Sequence, residues 1–194
     1  MARADKAEAA PIRFERVYDG PADDLWALWT TKKGLEAWFA PGGCRLEVPI
    51  FDVREGGEFE HVMTAVHADA LAYMESAGRS HVTRTRGRFV EVRPHERLHM
   101  RFTMDFLPGV EPYPYDIVVE FHPQGGRVRV IVTADAHPDA ELTRLASQTL
   151  EGQLREFESM RRSEARRHRS SARTLNHSPC RALRIFKSFR KGSR

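Results

Sequence analysis

Cysteine is nearly missing from this chain: Cys44 and Cys180 are the only two in 194 residues, and they lie far apart. Two such thiols build neither a disulfide framework nor a zinc knuckle, and a reducing compartment is the default. Long apolar runs are missing too, which excludes a membrane-spanning helix. Met1 to Ala10 are polar, with Asp5 and Glu8, and lack the apolar core of a signal peptide, so a cytoplasmic protein is expected. Lysine is scarce: Lys6, Lys32, Lys33, Lys187 and Lys191 stand against 26 arginines. With the many alanines, that usage points to a GC-rich bacterial source. No G-x-S-x-G, G-x-G-x-x-G or P-loop occurs, so the common ready-made nucleophile and nucleotide cradles are excluded.

What is present is charge, unevenly spread. The formal net charge of +4 is a sum of two unlike parts. Residues 161–194 hold twelve Lys/Arg and one acid, Glu164, for a net of +11, which leaves −7 on residues 1–160. An acidic body repels phosphate backbones, so contact with nucleic acid or a membrane is expected only through the tail. Three parts follow: an N-terminal extension (1–11), one domain of ordinary size (12–160) and a basic tail (161–194).

Within the body, Ile12, Phe14, Val17 and Tyr18 predict a strand with a slip near its end. Pro21 followed by Asp23 and Asp24 opens a helix, since proline and acids suit the free N–H groups of a first turn. Gly34 interrupts it, and Leu35 to Phe39 form a second short helix stopped by Pro41-Gly42-Gly43. Trp26, Trp29 and Trp38 in this stretch read as a core seam. Strands then dominate. Cys44 to Val48 is a short one, Gly56-Gly57 a tight turn, and Phe59, His61, Met63 and Ala65 one face of the next, with Glu58, Glu60 and Thr64 opposite. Leu98, Met100, Phe102, Met104 and Phe106 alternate with polar residues, as do Tyr115, Ile117, Val119 and Phe121. Gln124-Gly125-Gly126 turns the chain into Val128, Val130 and Val132. Antiparallel strands with one apolar face need a cover. Leu142, Leu145, Ala146, Thr149, Leu150, Leu154, Phe157 and Met160 supply it as the stripe of a helix ending at about Met160. Gly152 inside that helix admits either a close strand or a ligand.

Four segments carry a family resemblance. Gly20-Pro21-Ala22-Asp23-Asp24-Leu25-Trp26 resembles an "aP-x-x-vw" start of the first helix, and Leu35-Glu36-Ala37-Trp38-Phe39-Ala40-Pro41 an "l-x-x-W-[WF]-x-P" segment. Asp52-Val53-Arg54-Glu55-Gly56-Gly57 matches "D-x-R-x-G-G", and Gly87 to Leu98 matches "G-x-[fv]-x-E-v-x-P-x-e-r-L". In this order they are similar to the bacterial relatives of the Hsp90 ATPase activator's C-terminal domain, in the START-like (SRPBCC, Bet v 1-like) superfamily. The resemblance implies an α+β helix-grip fold: a curved antiparallel sheet of about six to seven strands around a long C-terminal helix, two short helices after strand 1, and a cavity between sheet and helix. It implies one of three roles: a carrier of a small apolar molecule, a cofactor-independent cyclase or dehydratase of polyketide-like substrates, or a domain engaging an Hsp90-type chaperone, with a homodimer as a further expectation. The eukaryotic activator has an additional N-terminal domain, for which Met1 to Pro11 is too short.

His61 shares a face with Phe59 and Met63, where relatives carry an apolar residue. A neutral imidazole there offers a ligand a hydrogen bond or acid/base help; the alternative is a core histidine satisfied within the fold. Tyr115 offers a phenolic hydroxyl from the opposite half of the sheet. Phe59, Met63, Phe102, Met104, Phe121, Leu150 and Leu154 complete the expected ligand surface. Between His67 and Thr83 the chain is longer than in relatives, and Asp69 to Ala77, closed by Gly78, reads as a short helix: either a lid or a solvated decoration. Nine histidines raise the question of metal, but His61 and His67 lie six apart, cysteine-rich spacing is missing, and neither metal nor cofactor is expected. Cys44 reads as a small buried hydrophobe. The tail opens Arg- and Ser-rich, which reads as disorder, and Leu183, Phe186 and Phe189 among Arg184, Lys187, Arg190 and Lys191 outline one basic amphipathic turn or two, either a contact for anionic lipid or nucleic acid or simply a solvated extension.

Overall fold

The computed structural model describes residues 10–175, with side chains through Arg161. The chain divides into two units, Met1–Met160 and Arg161–Arg194, and all packing below belongs to the first. The elements are β1 (Ile12–Asp19), α1 (Ala22–Thr30), α2 (Lys32–Trp38), β2 (Cys44–Phe51), β3 (Glu58–Ala65), α3 (Ala68–Ser76), β4 (Val82–Arg93), β5 (Arg97–Met104), β6 (Tyr113–Gln124), β7 (Arg127–Ala134) and α4 (Ala140–Leu175). The seven strands form one antiparallel sheet in the order β1-β7-β6-β5-β4-β3-β2. Successive strands pair by hairpins except at the start, where α1 and α2 carry the chain from one sheet edge to the other. The sheet curls into a half-barrel against α4, a helix-grip fold. Among the described residues no helix is long and apolar enough to cross a membrane.

The helical stretch is built as its residues dictate. Pro21 stands at the N-cap of α1, and Asp23 and Asp24 fill its first turn. Thr31 ends α1 and starts α2, its hydroxyl accepting from the Gly34 amide at 3.0 Å. A Cβ on Gly34 would lie 2.4 Å from the Ala27 carbonyl oxygen, so only glycine lets the two helices meet this closely. Trp29 and Trp38 meet edge to face at 4.5 Å, Phe157 of α4 packs on Trp38 at 4.9 Å, and the Trp38 indole donates to the Leu28 carbonyl at 3.0 Å. These two tryptophans are core. Trp26, partly buried, packs on Phe121 and His95 instead.

The D-x-R-x-G-G turn joins β2 to β3. Arg54 pairs with Asp52 at 2.8 Å, Gly56 takes a φ of 76°, and the Gly56 and Gly57 backbone bonds Phe89 of β4. A Cβ at Gly57 would sit 2.0 Å from the Asp52 carbonyl oxygen. Gly87 has an equally concrete reason: a Cβ there would strike the Arg101 carbonyl oxygen at 2.3 Å and the Phe59 ring at 2.5 Å. The sheet's outer face is laced with cross-strand ion pairs, Arg101–Asp116 at 2.7 Å, Arg97–Glu120 at 2.9 Å and Arg86–Glu60 at 2.9 Å among them.

Several expectations change. β1 has no slip: its register with β7 is unbroken from Ile12↔Ala134 to Asp19↔Arg127. The apparent slip arises because Arg16 takes an inward position, its guanidinium reaching Glu158 of α4 at 3.4 Å, while Val17 faces solvent. β5 ends at Met104, leaving Phe106 in the following loop. The last helix continues fifteen residues past Met160, to Leu175. From Arg161 to Leu175 six of the fifteen residues are Arg, a strong helix former, and neither glycine nor proline occurs before Pro179. The remainder of the tail, including Leu183 to Lys191, lies outside the described residues.

Candidate functional site

A cavity of about 500 Å³ opens between the inner face of the sheet and α4. Its floor comes from β3 to β6 and its roof from Leu142, Leu145, Ala146, Thr149, Leu150 and Gln153 of α4. Of the nine residues named from the sequence, His61, Met63, Phe102, Met104, Tyr115 and Leu150 line it. Phe59, Phe121 and Leu154 do not. Phe59 is clasped by Phe89 and Phe102 at 5.3 and 4.8 Å, Phe121 packs on Trp26 at 5.4 Å, and Leu154 is fully buried core. All three point inward, but where the helix rests on the sheet there is no void. Cys44, expected in the core, is half-buried and lines the cavity, where burial pushes its thiol pKa up.

The insertion closes one side of this cavity. α3 contributes Asp69, Ala70, Tyr73 and Met74, and Arg79 follows. Its C-terminus is a Schellman cap: Gly78, at φ 61°, donates to the Glu75 carbonyl and Arg79 to that of Met74. It rests on Gly43, whose φ is 81° and whose missing Cβ would stand 3.0 Å from that of Ala70. None of its side chains is buried. α3 is therefore lightly attached, as a movable cover would be.

His61 is 5% exposed, and its Nδ1 finds no hydrogen-bond partner among the described residues. Phe39 and Phe102 meet the ring edge to face, each at 5.9 Å. Burial among aromatics lowers its pKa to about 4, so at neutral pH the imidazole is uncharged. Thr85, opposite it on β4, is buried and lines the cavity too. On α4, Gln153 turns its amide to the Phe39 carbonyl.

The most organised polar group here lies where strand alternation gives no signal. His137, between β7 and α4, is buried and lines the cavity. Its ring stacks on Tyr115 at 4.5 Å and 14°, its Nδ1 is hydrogen-bonded to the Tyr113 hydroxyl, and its backbone N–H donates to Thr143 Oγ1 at 2.9 Å. Burial lowers the His137 pKa, with Asp135 opposing, and raises those of Tyr113 and Tyr115. His137 sits in a loop, where no periodicity marks the inward face. The signal available was its place just before the helix start, Pro138-Asp139.

His95-Glu96-Arg97-Leu98-His99 spells H-E-x-x-H, a zinc-binding pattern in other settings. It holds metal only on a helix, where both histidines share a face. Here it runs from a β turn into β5: His95, at φ 62°, pairs with Asp23 at 3.2 Å, and His99 with Asp116 at 3.1 Å. Among the described residues no group of three or more His, Cys, Asp or Glu is placed to hold a metal ion.

The family model described as "Activator of Hsp90 ATPase homolog 1-like protein" matches residues 19–161. No curated protein matches the chain. Solved structures similar to it include a protein from Chromobacterium violaceum (TM-score 0.64, 19% identity, covering 77% of this chain and 95% of that one). The AHSA1 protein of Silicibacter pomeroyi aligns with a TM-score of 0.61 at 19% identity, over 80% of this chain and 99% of its own. CalU16 of Micromonospora echinospora aligns at 0.52 and 16% identity, over 77% and 73%. At these identities the structures speak for the fold alone.

Proposed function

The chain belongs to the Activator of Hsp90 ATPase homolog 1-like family, with its START-like fold, and from that premise we propose that it binds one small, largely apolar molecule between the sheet and α4. The observation that carries this is the cavity, whose volume of about 500 Å³ falls within the roughly 300–1,000 Å³ of small-molecule sites. Aliphatic and aromatic side chains make most of its wall, with little polar surface among them. Burying such a wall against an apolar guest is worth about 25 cal/mol per Å². Native mass spectrometry of freshly purified protein is expected to show a bound small molecule, and the fluorescent probe 1-aminoanthracene to bind with blue-shifted emission. Leu150→Trp, which fills the cavity, is expected to abolish both. Failure to bind the probe, with no co-purified mass, overturns the reading.

A cyclase- or dehydratase-like reading uses His61 and Tyr115 of the same cavity, and the site chemistry weighs against it. With a pKa of about 4, His61 is a weak base at neutral pH, and the Tyr115 phenol, raised by burial, is a weak acid. The two stand on β3 and β6, three strand steps apart, or about 14 Å at the usual spacing. The chaperone-partner reading needs a continuous exposed apolar face. Exposed large apolar side chains among the described residues, Val17, Ile50, Val66, Tyr73 and Val82, fall on separate elements and loops.

A further inference from the structure

The cavity has a polar atom set at each of two ends and an apolar span between them. At one end, on β3, the buried His61 ring has an Nδ1 that finds no partner among the described residues. A buried imidazole nitrogen with no hydrogen bond is a standing cost to the fold, and such costs concentrate where a ligand relieves them. At the other end, His137 is held on three sides. Tyr115 stacks on its face, Tyr113 occupies Nδ1, and Thr143 fixes its backbone. With Nδ1 engaged, Nε2 is the ring's one polar atom left for a guest, and the cradle fixes its direction. Between the two ends the wall is mostly apolar, with Phe102 and Ile117 from the sheet and Leu145 and Leu150 from α4, while Thr83, Thr85 and Thr149 add hydroxyls.

The charges near the cavity constrain the guest as well. Asp69 and Arg79 line it from the α3 segment, one of each sign, so the cover presents no net charge. Burial lowers the pKa of both imidazoles, which favours their uncharged form. Asp135 lies near His137, but it is exposed and already accepts from the Asp116 amide at 2.9 Å. Lys and Glu do not line the cavity. An ionised group lodged between the two imidazoles, away from Asp69 and Arg79, would be left unpaired, which is costly in an apolar enclosure.

We infer that the occupant is an uncharged, elongated molecule with an apolar body and a hydrogen-bonding oxygen at each end, one end held by His61 and the other by His137 in its Tyr113–Tyr115 cradle. This rests on the small-molecule binding proposed above and names the chemical class. Neutral imidazole both donates and accepts, so a hydroxyl suits either end.

Displacement of 1-aminoanthracene by 1-octanol and by 1,8-octanediol tests the inference, with shorter and longer α,ω-diols to locate the matching span. A second hydroxyl in an apolar cavity weakens binding unless the protein meets it. The wild-type protein is expected to bind the best-fitting diol at least as tightly as the matching mono-alcohol. His61→Phe and His137→Phe are each expected to weaken the diol about tenfold while sparing the mono-alcohol, which keeps the other end. Tyr113→Phe removes only the hydroxyl that orients His137, and it covers the case in which His137→Phe does not fold. If every diol binds tenfold more weakly than its mono-alcohol, or if none of these substitutions alters their ratio, the inference is wrong and simple apolar carriage stands. If neither 1-aminoanthracene nor the alcohols bind at all, the carriage reading falls, and the inference falls with it.

Discussion

His61 is worth more to a ligand than to the fold. Its buried Nδ1 has no partner among the described residues, and an unmet buried polar group costs about 1–3 kcal/mol. His61→Phe places an apolar ring in the same aromatic surroundings and is expected to stabilise the ligand-free protein by about 1 kcal/mol or more, measured as a higher denaturant midpoint at an unchanged m-value. A fall in stability would mean that the imidazole is satisfied within the protein. The pH dependence has a definite sign. The folded pKa is about 4, below the usual 6.5 or so, so between those values the unfolded chain takes up the proton first. Above about pH 6.5 nothing is lost; as pH falls towards 4, stability drops by up to about 3 kcal/mol, and His137, shifted the same way, adds to the decline. His61→Phe is expected to flatten this slope in urea titrations between pH 4 and pH 7. The inward face of β3 was readable from the alternation of Phe59, His61 and Met63. Whether an inward side chain meets a helix or a void was not, because alternation gives the face and not the depth. Hence Phe59, Phe121 and Leu154 went to the cavity on paper and lie in the core.

Glycines separate the elements that are fixed from those that are not. Gly152 is exposed on α4, and a Cβ there would meet nothing within 4 Å; neither a strand nor a ligand claims the space that the sequence held open for one. Gly152→Ala is therefore expected to stabilise the protein by about 1 kcal/mol, read from a chemical denaturation curve with binding unaltered. Gly43 is the opposite case. Its φ of 81° and the 3.0 Å approach of Ala70 make any side chain there strain the seat of α3. Removing residues 69–78 with a short closing turn is expected to keep the circular dichroism of the sheet and to weaken 1-aminoanthracene at least tenfold, since one wall is lost; equal affinity would make α3 a decoration. The order of elements was readable because turn residues and the two periodicities mark it. The seat of α3 was not, because a contact between a loop glycine and a helix alanine leaves no periodic trace. The length of α4 is not legible for a different reason: an Arg- and Ser-rich stretch reads as disorder, whereas arginine also favours helix.

The fold and the charge of this chain are separable. The buried residues of the core end with Phe157, and Met160 is the last residue packed against them, so the chain of residues 1–160 holds every described core contact. It also holds a net charge of −7, against +11 in residues 161–194. Two consequences follow from this division. The 1–160 chain is expected to unfold at a denaturant midpoint close to that of the full chain, because stability resides in buried area that the tail does not supply. At low salt the full chain is expected to bind vesicles containing anionic lipid and to release them as ionic strength passes about 0.15 M, where screening shortens the reach of charge to about 8 Å. The 1–160 chain is expected not to bind them, since its acidic body repels the same surface. Vesicle sedimentation with both chains across a salt series decides the matter. Equal binding by the two would show that the tail's charge is idle, and a lowered midpoint for the shorter chain would show that helix beyond Met160 supports the domain after all.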